Sequence, residues 1–137
     1  MEFFISLHQL SDWGLLALRI ALGAVFLAHG RGKLGMWKMQ PSEQMPAGTI
    51  SLMKLLSIVE PLGGIAVLFG FLTQLAAVGL GIIMVGAIKA KIRMFKAPFM
   101  VMEKPGWEFD MMNLAACITL FFSGAGAFSL DRVIFGL

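Results

Sequence analysis

Four long apolar runs, separated by short polar segments, constrain this chain more than any other feature. They cover residues 13–30, 50–71, 72–90 and 109–128, and each is close to the roughly 20 residues that a helix needs to cross a bilayer. Apolar residues make up 58% of the chain and charged residues 14%, whereas soluble globular proteins have roughly 45–50% and 25%. We therefore predict an all-α integral membrane protein, a four-transmembrane-helix bundle that occupies residues 1–137 as one domain.

The second run carries a proline in its middle. Glu60 is followed directly by Pro61, and a proline inside a helix removes a backbone hydrogen bond and clashes with the preceding turn. We therefore expect a kinked second helix. The third run follows almost at once, so we expect a tight antiparallel hairpin with Thr73 at the turn, where this residue can cap the third helix.

Small residues in the first run indicate how it packs. Four alanines recur at helical spacing, so they share one face to which a neighbouring backbone can come close. We expect this face to lie inside the bundle. The alanines are Ala17, Ala21, Ala24 and Ala28.

The composition excludes several kinds of site. The single cysteine, Cys117, excludes an intramolecular disulfide, a dithiol redox pair and a thiolate metal cage. No histidine pair has the spacing of metal ligands, so we expect no metal. The net charge is +3, but no polar segment interleaves basic and aromatic residues, so we expect no nucleic acid partner.

Basic residues predict how the helices are oriented. The segments around the first and third connections hold nine Lys and Arg residues, whereas the opposite side holds only Arg132. By the positive-inside rule, both long basic loops lie in the cytoplasm and both termini lie outside. The nine residues are Arg31, Lys33, Lys38, Lys54, Lys89, Lys91, Arg93, Lys96 and Lys104.

Ionisable groups within the apolar runs are the best candidates for function, because each costs several kcal/mol unless it is paired or hydrated. Arg19 and Glu60 differ in predicted depth by roughly 6 Å, which an arginine side chain can bridge. We therefore predict an intramembrane ion pair between Arg19 and Glu60. In one interpretation, this pair only clamps the first two helices together. In the other, it provides a proton-linked or ligand-binding carboxylate next to the helix break expected at Pro61. The sequence leaves both interpretations open.

A second polar cluster is expected at the cytoplasmic face, where three helices end or begin. Acidic residues at the start of a helix also complement its dipole, which explains two members without any function. In the simplest interpretation, Trp37 and Trp107 are interfacial anchors. In the alternative, functional interpretation they form a stacking surface for a flat ligand such as a quinone ring. The cluster comprises His29, Lys33, Lys89, Glu108, Asp110 and Asn113.

Polar and glycine residues recur in an order that covers Leu18 to Arg132. They are Arg19, Gly23, Phe26, His29, Gly30 and Lys33, then Glu60, Gly63, Gly64, Gly70 and Thr73, then Glu108, and finally Gly124, Gly126, Ser129, Leu130 and Asp131. This pattern resembles the DoxX family of small four-helix membrane proteins.

The resemblance implies a multi-pass protein of the cell inner membrane, in a family with some members associated with membrane redox or oxidative-stress complexes. It implies that the family's polar set falls on Arg19, His29, Lys33, Glu60, Glu108 and Asp131, and that Ser129 and Asp131 form a closing helix-end motif. Many members have a histidine near the end of the third helix, where this chain has Lys89 and Lys91.

The leading hypothesis is an accessory or anchoring subunit of a quinone-linked membrane redox assembly, without a self-contained catalytic constellation and with unknown catalytic residues. Its expected partners are the lipid bilayer and either other membrane subunits or further copies of the chain, and its expected ligand is a quinone or lipid. The alternatives are a small proton-linked transporter or exporter subunit, with Glu60 as its protonatable site, and a purely structural membrane scaffold.

Overall fold

The computed structural model describes residues 7–43, 45–100 and 106–136, and these residues fold into helices joined by turns and loops. Short 3-10 helices cover Leu7–Leu10 and Leu34–Lys38. The all-α prediction is confirmed for the described residues, and the predicted basic residue Lys104 lies outside them. The α-helices are α1 (Ser11–Gly32), α2 (Ala47–Phe69), α3 (Thr73–Arg93), α4 (Glu108–Ser123) and α5 (Leu130–Phe135).

Three helical segments are long and apolar enough to cross a membrane. They are Leu7–Lys38, which contains α1, and the helices α2 and α3. The fourth predicted run forms only the 16 residues of α4, because the chain leaves the helix at Gly124, whose φ of 72° is unsuited to helical continuation. The chain is thus a membrane protein with three apolar helices of spanning length.

The proline of α2 lies at a helix contact. The helix continues through Pro61 as one element. The proline ring packs against Gly30 of α1, where a Cβ atom would overlap it. Proline and glycine therefore fit together where α1 ends.

Two glycines bring α1 and α2 together more closely than larger residues would allow. A Cβ atom on Gly23 would lie 2.8 Å from the carbonyl oxygen of Gly64, and one on Gly64 would lie 3.0 Å from the carbonyl oxygen of Gly23. The expectation that the alanine stripe of α1 packs inside is wrong. All four of those alanines are exposed on the side of α1 that lies away from the core: Ala17, Ala21, Ala24 and Ala28.

The core consists of residues from α1, α2, α3 and α4, and many large apolar side chains are exposed on the outside of the described part of the molecule. Leu62, Leu75 and Phe122 are 61%, 68% and 79% exposed, which suits contact with acyl chains rather than with water. The bilayer is thus the natural surrounding of this surface. The core residues are Leu22, Phe26, Val67, Ala77, Leu80, Met84, Cys117 and Leu120.

The two ends of the molecule contain different segments of the chain. The loop end is where α1 and α3 end and α2 and α4 begin, and contacts of Lys91 with Asp110 and of His29 with Phe109 place these segments together. The hairpin end is the opposite end. It holds the turn between α2 and α3 and the α4–α5 loop, residues 124–129.

Candidate functional site

Arg19 is enclosed by backbone carbonyls at the hairpin end and is 1% exposed. Its Nε donates to the carbonyl of Val67 at 3.0 Å and its Nη2 to that of Leu68 at 3.1 Å, both in the last turn of α2. Its Nη1 donates to the carbonyls of Ala125 at 2.7 Å and Phe128 at 2.8 Å in the α4–α5 loop. Because the last carbonyls of a helix lack partners within it and carry partial negative charge, they suit a guanidinium. Arg19 thus joins α1, α2 and the α4–α5 loop.

Asp131, at the start of α5, caps α3. Its carboxylate oxygens accept from the backbone N–H groups of Leu72 at 2.6 Å and Thr73 at 2.9 Å. Its own N–H donates to the carbonyl of Gly70 at 2.8 Å. The prediction that Thr73 caps α3 is therefore wrong. Among the described residues, the buried hydroxyl of Thr73 has no hydrogen-bond partner.

The predicted helix-end motif forms part of this enclosure. The hydroxyl of Ser129 accepts from the N–H of Arg132 at 3.1 Å and donates to the carbonyl of Gly126 at 2.7 Å. Gly70 has a φ of 66°, and a side chain there would meet both Ser129 and the guanidinium of Arg19. The negative charge of Asp131 also acts on Arg19. The residues at this end therefore hold one buried cation.

The predicted ion pair between Arg19 and Glu60 is wrong. Glu60, which is 1% exposed, instead accepts from the ammonium of Lys33 through both carboxylate oxygens. The antiparallel packing of α1 on α2 explains this outcome. It places residue 19 opposite Val67, about 10 Å along α2 from Glu60, whereas Glu60 lies level with the end of α1.

The indole of Trp37 covers the same stretch of α2. Its Nε1 donates to the hydroxyl of Ser57 at 2.9 Å, and that hydroxyl donates to the carbonyl of Lys54 at 2.7 Å. The ammonium of Lys54 lies 5.8 Å from the centroid of the Trp37 ring, within reach of a cation–π attraction. The residues after α1 are therefore tied to α2 by Lys33 and Trp37 together.

The predicted cytoplasmic cluster forms in two parts rather than one. Lys91 lies 2.8 Å from a carboxylate oxygen of Asp110 and donates to the carbonyl of Gly106 at 2.9 Å. Glu108 accepts from the N–H of Gly106 at 3.2 Å. The contacts of Lys91 hold the start of α4 to the end of α3. They form a group that is separate from the Lys33–Glu60 pair.

Three other members of that cluster make different contacts. The amide of Asn113 donates to the carbonyl of Phe109 one turn earlier in α4, at 2.9 Å. The ring of His29 lies 5.4 Å from that of Phe109, centroid to centroid. Lys89 is exposed and makes no ion pair with any described residue. The structure thus brings His29 to the start of α4 but leaves Lys89 outside.

Of the two lysines expected at the end of the third helix, Lys91 rather than Lys89 makes the ion pair with α4, and a signal for that choice was present. Residues 77, 84 and 91 share one face of α3 because each is two turns from the next. Ala77 and Met84 are core residues, so Lys91 continues the inward face while Lys89 does not. The carbonyl partners of Arg19 had no such signal, because backbone groups occur at every residue.

The charged side chains of the described residues hold helices and loops to one another. No three His, Cys, Asp or Glu side chains within residues 7–43, 45–100 and 106–136 come together as metal ligands. The buried charges engage backbone carbonyls, backbone N–H groups or opposite charges. Chemically, these contacts can fix the positions of the helices relative to one another.

Comparisons with known proteins agree with this architecture. The DoxX family model matches residues 14–101. CatD of Bacillus subtilis (strain 168), provisionally named an oxidoreductase, is 32% identical, with 89% of this chain and 87% of the relative aligned. The uncharacterised membrane protein Rv3486 of Mycobacterium tuberculosis (strain ATCC 25618 / H37Rv) is 33% identical, with 92% of this chain and 84% of the relative aligned. No solved structure matches the chain at a significant level. The extent of these matches shows that the chain belongs to the DoxX family.

Proposed function

We propose that this DoxX protein is an accessory or anchoring subunit of a membrane redox assembly. In this proposal the chain spans the cell inner membrane four times, with α2 kinked at Pro61, α4 as the shortest span and the loop end in the cytoplasm. The name of the relative CatD, provisionally an oxidoreductase, supports the redox context because it aligns over 89% of this chain.

The observation that carries this proposal is that the buried charges hold helices to one another. Arg19 donates four hydrogen bonds to backbone carbonyls, and the carboxylates of Glu60 and Asp110 each have a lysine partner. Charges engaged in this way stabilise a rigid support, which is what an anchoring subunit needs. An enzyme acting alone would need a reactive group left free beside its substrate.

A quinone is the proposed ligand of this support. Its ring would contact the loop end near His29, Lys33 and Glu108. An aromatic pair, His29 with Phe109, lies beside charged groups there, and a quinone ring needs a flat apolar contact together with hydrogen-bond donors. A headgroup in this place would lie at the same level as the interfacial tryptophans Trp37 and Trp107.

Two measurements test the redox proposal. Purification of the tagged full chain in a gentle detergent should recover a flavin-, haem- or metal-containing partner. Photo-crosslinking of a quinone analogue should label the loop end, and excess ubiquinone or menaquinone should suppress the label. Recovery of the chain alone, with labelling that ignores excess quinone, would contradict the proposal.

The buried carboxylate of Glu60 allows a direct comparison with a transport function. A Glu60→Gln substitution removes the proton-binding site and keeps the size of the side chain. If Glu60 only clamps helices, the variant should lower thermal stability and partner recovery together. A proton-linked transporter would instead keep its assembly and lose flux in reconstituted vesicles.

A further inference from the structure

The charges of this protein are distributed unequally between its two ends. Among the described residues, the loop end holds eight Lys or Arg and four Asp or Glu residues, whereas the hairpin end holds two of each. At the hairpin end, Arg19 and Arg132 are balanced by Asp12 and Asp131. The whole positive excess of the described chain therefore lies at the loop end.

Most of these loop-end cations make no ion pair with an acidic residue in the part of the chain that the structure describes, which favours their binding of an anion. Lys33 is neutralised by Glu60 and Lys91 by Asp110. The remaining six have no salt bridge to any described acidic residue. They are Arg31, Lys38, Lys54, Lys89, Arg93 and Lys96.

Three of these cations belong to the same corner of the molecule as two exposed apolar side chains, two by their place in the sequence and one by a contact. The 3-10 helix Leu34–Lys38 follows Arg31 in the chain and ends with Lys38, and its residues Leu34 and Trp37 are 53% and 52% exposed. The hydrogen bond from Trp37 to Ser57 fixes the indole, and Lys54 lies over its ring. We call this group, Arg31, Leu34, Trp37, Lys38 and Lys54, the Trp37 corner.

We infer that the Trp37 corner binds the headgroup of an anionic phospholipid. Its cations match the phosphate charge, while Leu34 and Trp37 match the boundary between headgroups and acyl chains, where tryptophan is enriched and basic side chains extend toward the phosphates. A soluble anion would use the cations but would leave the apolar side chains in water. The corner therefore selects a lipid, independently of the redox function proposed above.

Spin-labelled lipids test this inference on the full chain. The protein is reconstituted in phosphatidylcholine vesicles with either spin-labelled phosphatidylglycerol or spin-labelled phosphatidylcholine, and electron paramagnetic resonance measures the immobilised fraction of each. The wild-type protein should immobilise the phosphatidylglycerol probe in preference by at least about twofold at low salt. The preference should fall toward one in 1 M NaCl, where the screening length is about 3 Å.

Two triple variants with equal charge loss separate the corner from net charge. Arg31→Gln/Lys38→Gln/Lys54→Gln should abolish the preference for phosphatidylglycerol. The matched triple Lys89→Gln/Arg93→Gln/Lys96→Gln should retain most of it, and Arg132→Gln at the hairpin end should retain all of it. If the first triple does not fold by circular dichroism, the exposed Lys38→Gln single variant replaces it and should lower the preference.

Two results would overturn the inference. One is equal immobilisation of the two probes by the wild-type protein at low salt. The other is an equal loss of preference in both triple variants, which would assign the effect to net charge rather than to the Trp37 corner.

Discussion

At the scale of single residues, Arg19 is expected to contribute strongly to the stability of the protein. Its guanidinium presents a fork of N–H donors, and four backbone carbonyls accept from it. Arg19→Gln leaves most of these carbonyls without a donor. Because a hydrogen bond to a charged group contributes about 1.5–3 kcal/mol, we expect the free energy of unfolding to fall by about 3 kcal/mol or more. Thermal unfolding in detergent, followed by circular dichroism, measures this loss.

Two further variants make the Arg19 measurement specific. Arg19→Lys keeps the charge but lacks the planar fork, so its stability should lie between those of Arg19→Gln and the wild-type protein. Arg132→Gln removes a guanidinium that is exposed at the same end, and it should change stability by less than about 0.5 kcal/mol. Equal stability of Arg19→Gln and the wild-type protein would contradict the role given to Arg19.

The Lys33–Glu60 pair should show strong coupling in a double-mutant cycle. Lys33→Met leaves the carboxylate of Glu60 buried without its partner, which costs about 3–5 kcal/mol in buried pairs. Adding Glu60→Gln removes that unpaired charge. We therefore expect the double variant to be more stable than Lys33→Met alone, as measured by the same thermal unfolding. Additive losses from the two substitutions would show that the groups act independently.

The sequence identified important charged residues better than it identified their partners. Arg19 and Glu60 were predicted as buried and paired with each other. Both are buried, but each has a different partner. Arg19 binds carbonyls, which no residue type reveals, and the register of α1 on α2 follows from the contacts of Gly23 with Gly64 and of Gly30 with Pro61. Small residues of this kind are too common for their pairing to be predicted.

At the scale of helices, the apolar runs predicted well where the first three helices lie in the sequence. The small residues of α1, however, predicted the wrong face of that helix as buried. The first three predicted runs overlap α1, α2 and α3 with boundaries that differ by a few residues. The alanine stripe of α1 was assigned to the wrong side, because alanine is small enough to pack on a helix and apolar enough to face lipid. The buried face of α1 is instead marked by Arg19, Gly23, Phe26 and Gly30.

The close contact between α1 and α2 predicts that a larger residue at Gly23 destabilises the protein. Gly23→Ala places a methyl group 2.8 Å from the carbonyl oxygen of Gly64, so the helices must separate. We expect a loss of about 1–3 kcal/mol in stability, as for other overpacked sites.

Gly79→Ala is the matched control within α3. A Cβ atom there meets nothing within 4 Å, and alanine favours a helix over glycine by up to about 1 kcal/mol. Its stability should therefore equal or exceed that of the wild-type protein. Similar losses in both variants would indicate that the Gly23–Gly64 contact has no special weight.

At the scale of the whole molecule, residues C-terminal to the family match make stabilising contacts with residues inside it. The match covers residues 14–101, yet Arg19 binds Ala125 and Phe128 and the cap of α3 is Asp131. A chain that ends after Ser123 loses these contacts together. We expect it to lose its cooperative thermal transition, whereas Asp131→Asn should only lower the transition temperature. A cooperative transition in the truncated chain would contradict this role.

The unequal charge of the two ends also predicts the orientation of the whole molecule. Because Lys and Arg are retained on the cytoplasmic side, we expect the loop end inside the cell and the hairpin end outside. In a Cys117→Ala background, Gln9→Cys should react with a membrane-impermeant maleimide in intact cells, and Glu43→Cys should react only after permeabilisation. Both positions are exposed, and Cys117 is 2% exposed, so its replacement removes background labelling with little change of surface. The reverse labelling pattern would show the inverted orientation, and labelling of both sites in intact cells would show that the two ends are not on opposite sides of the membrane.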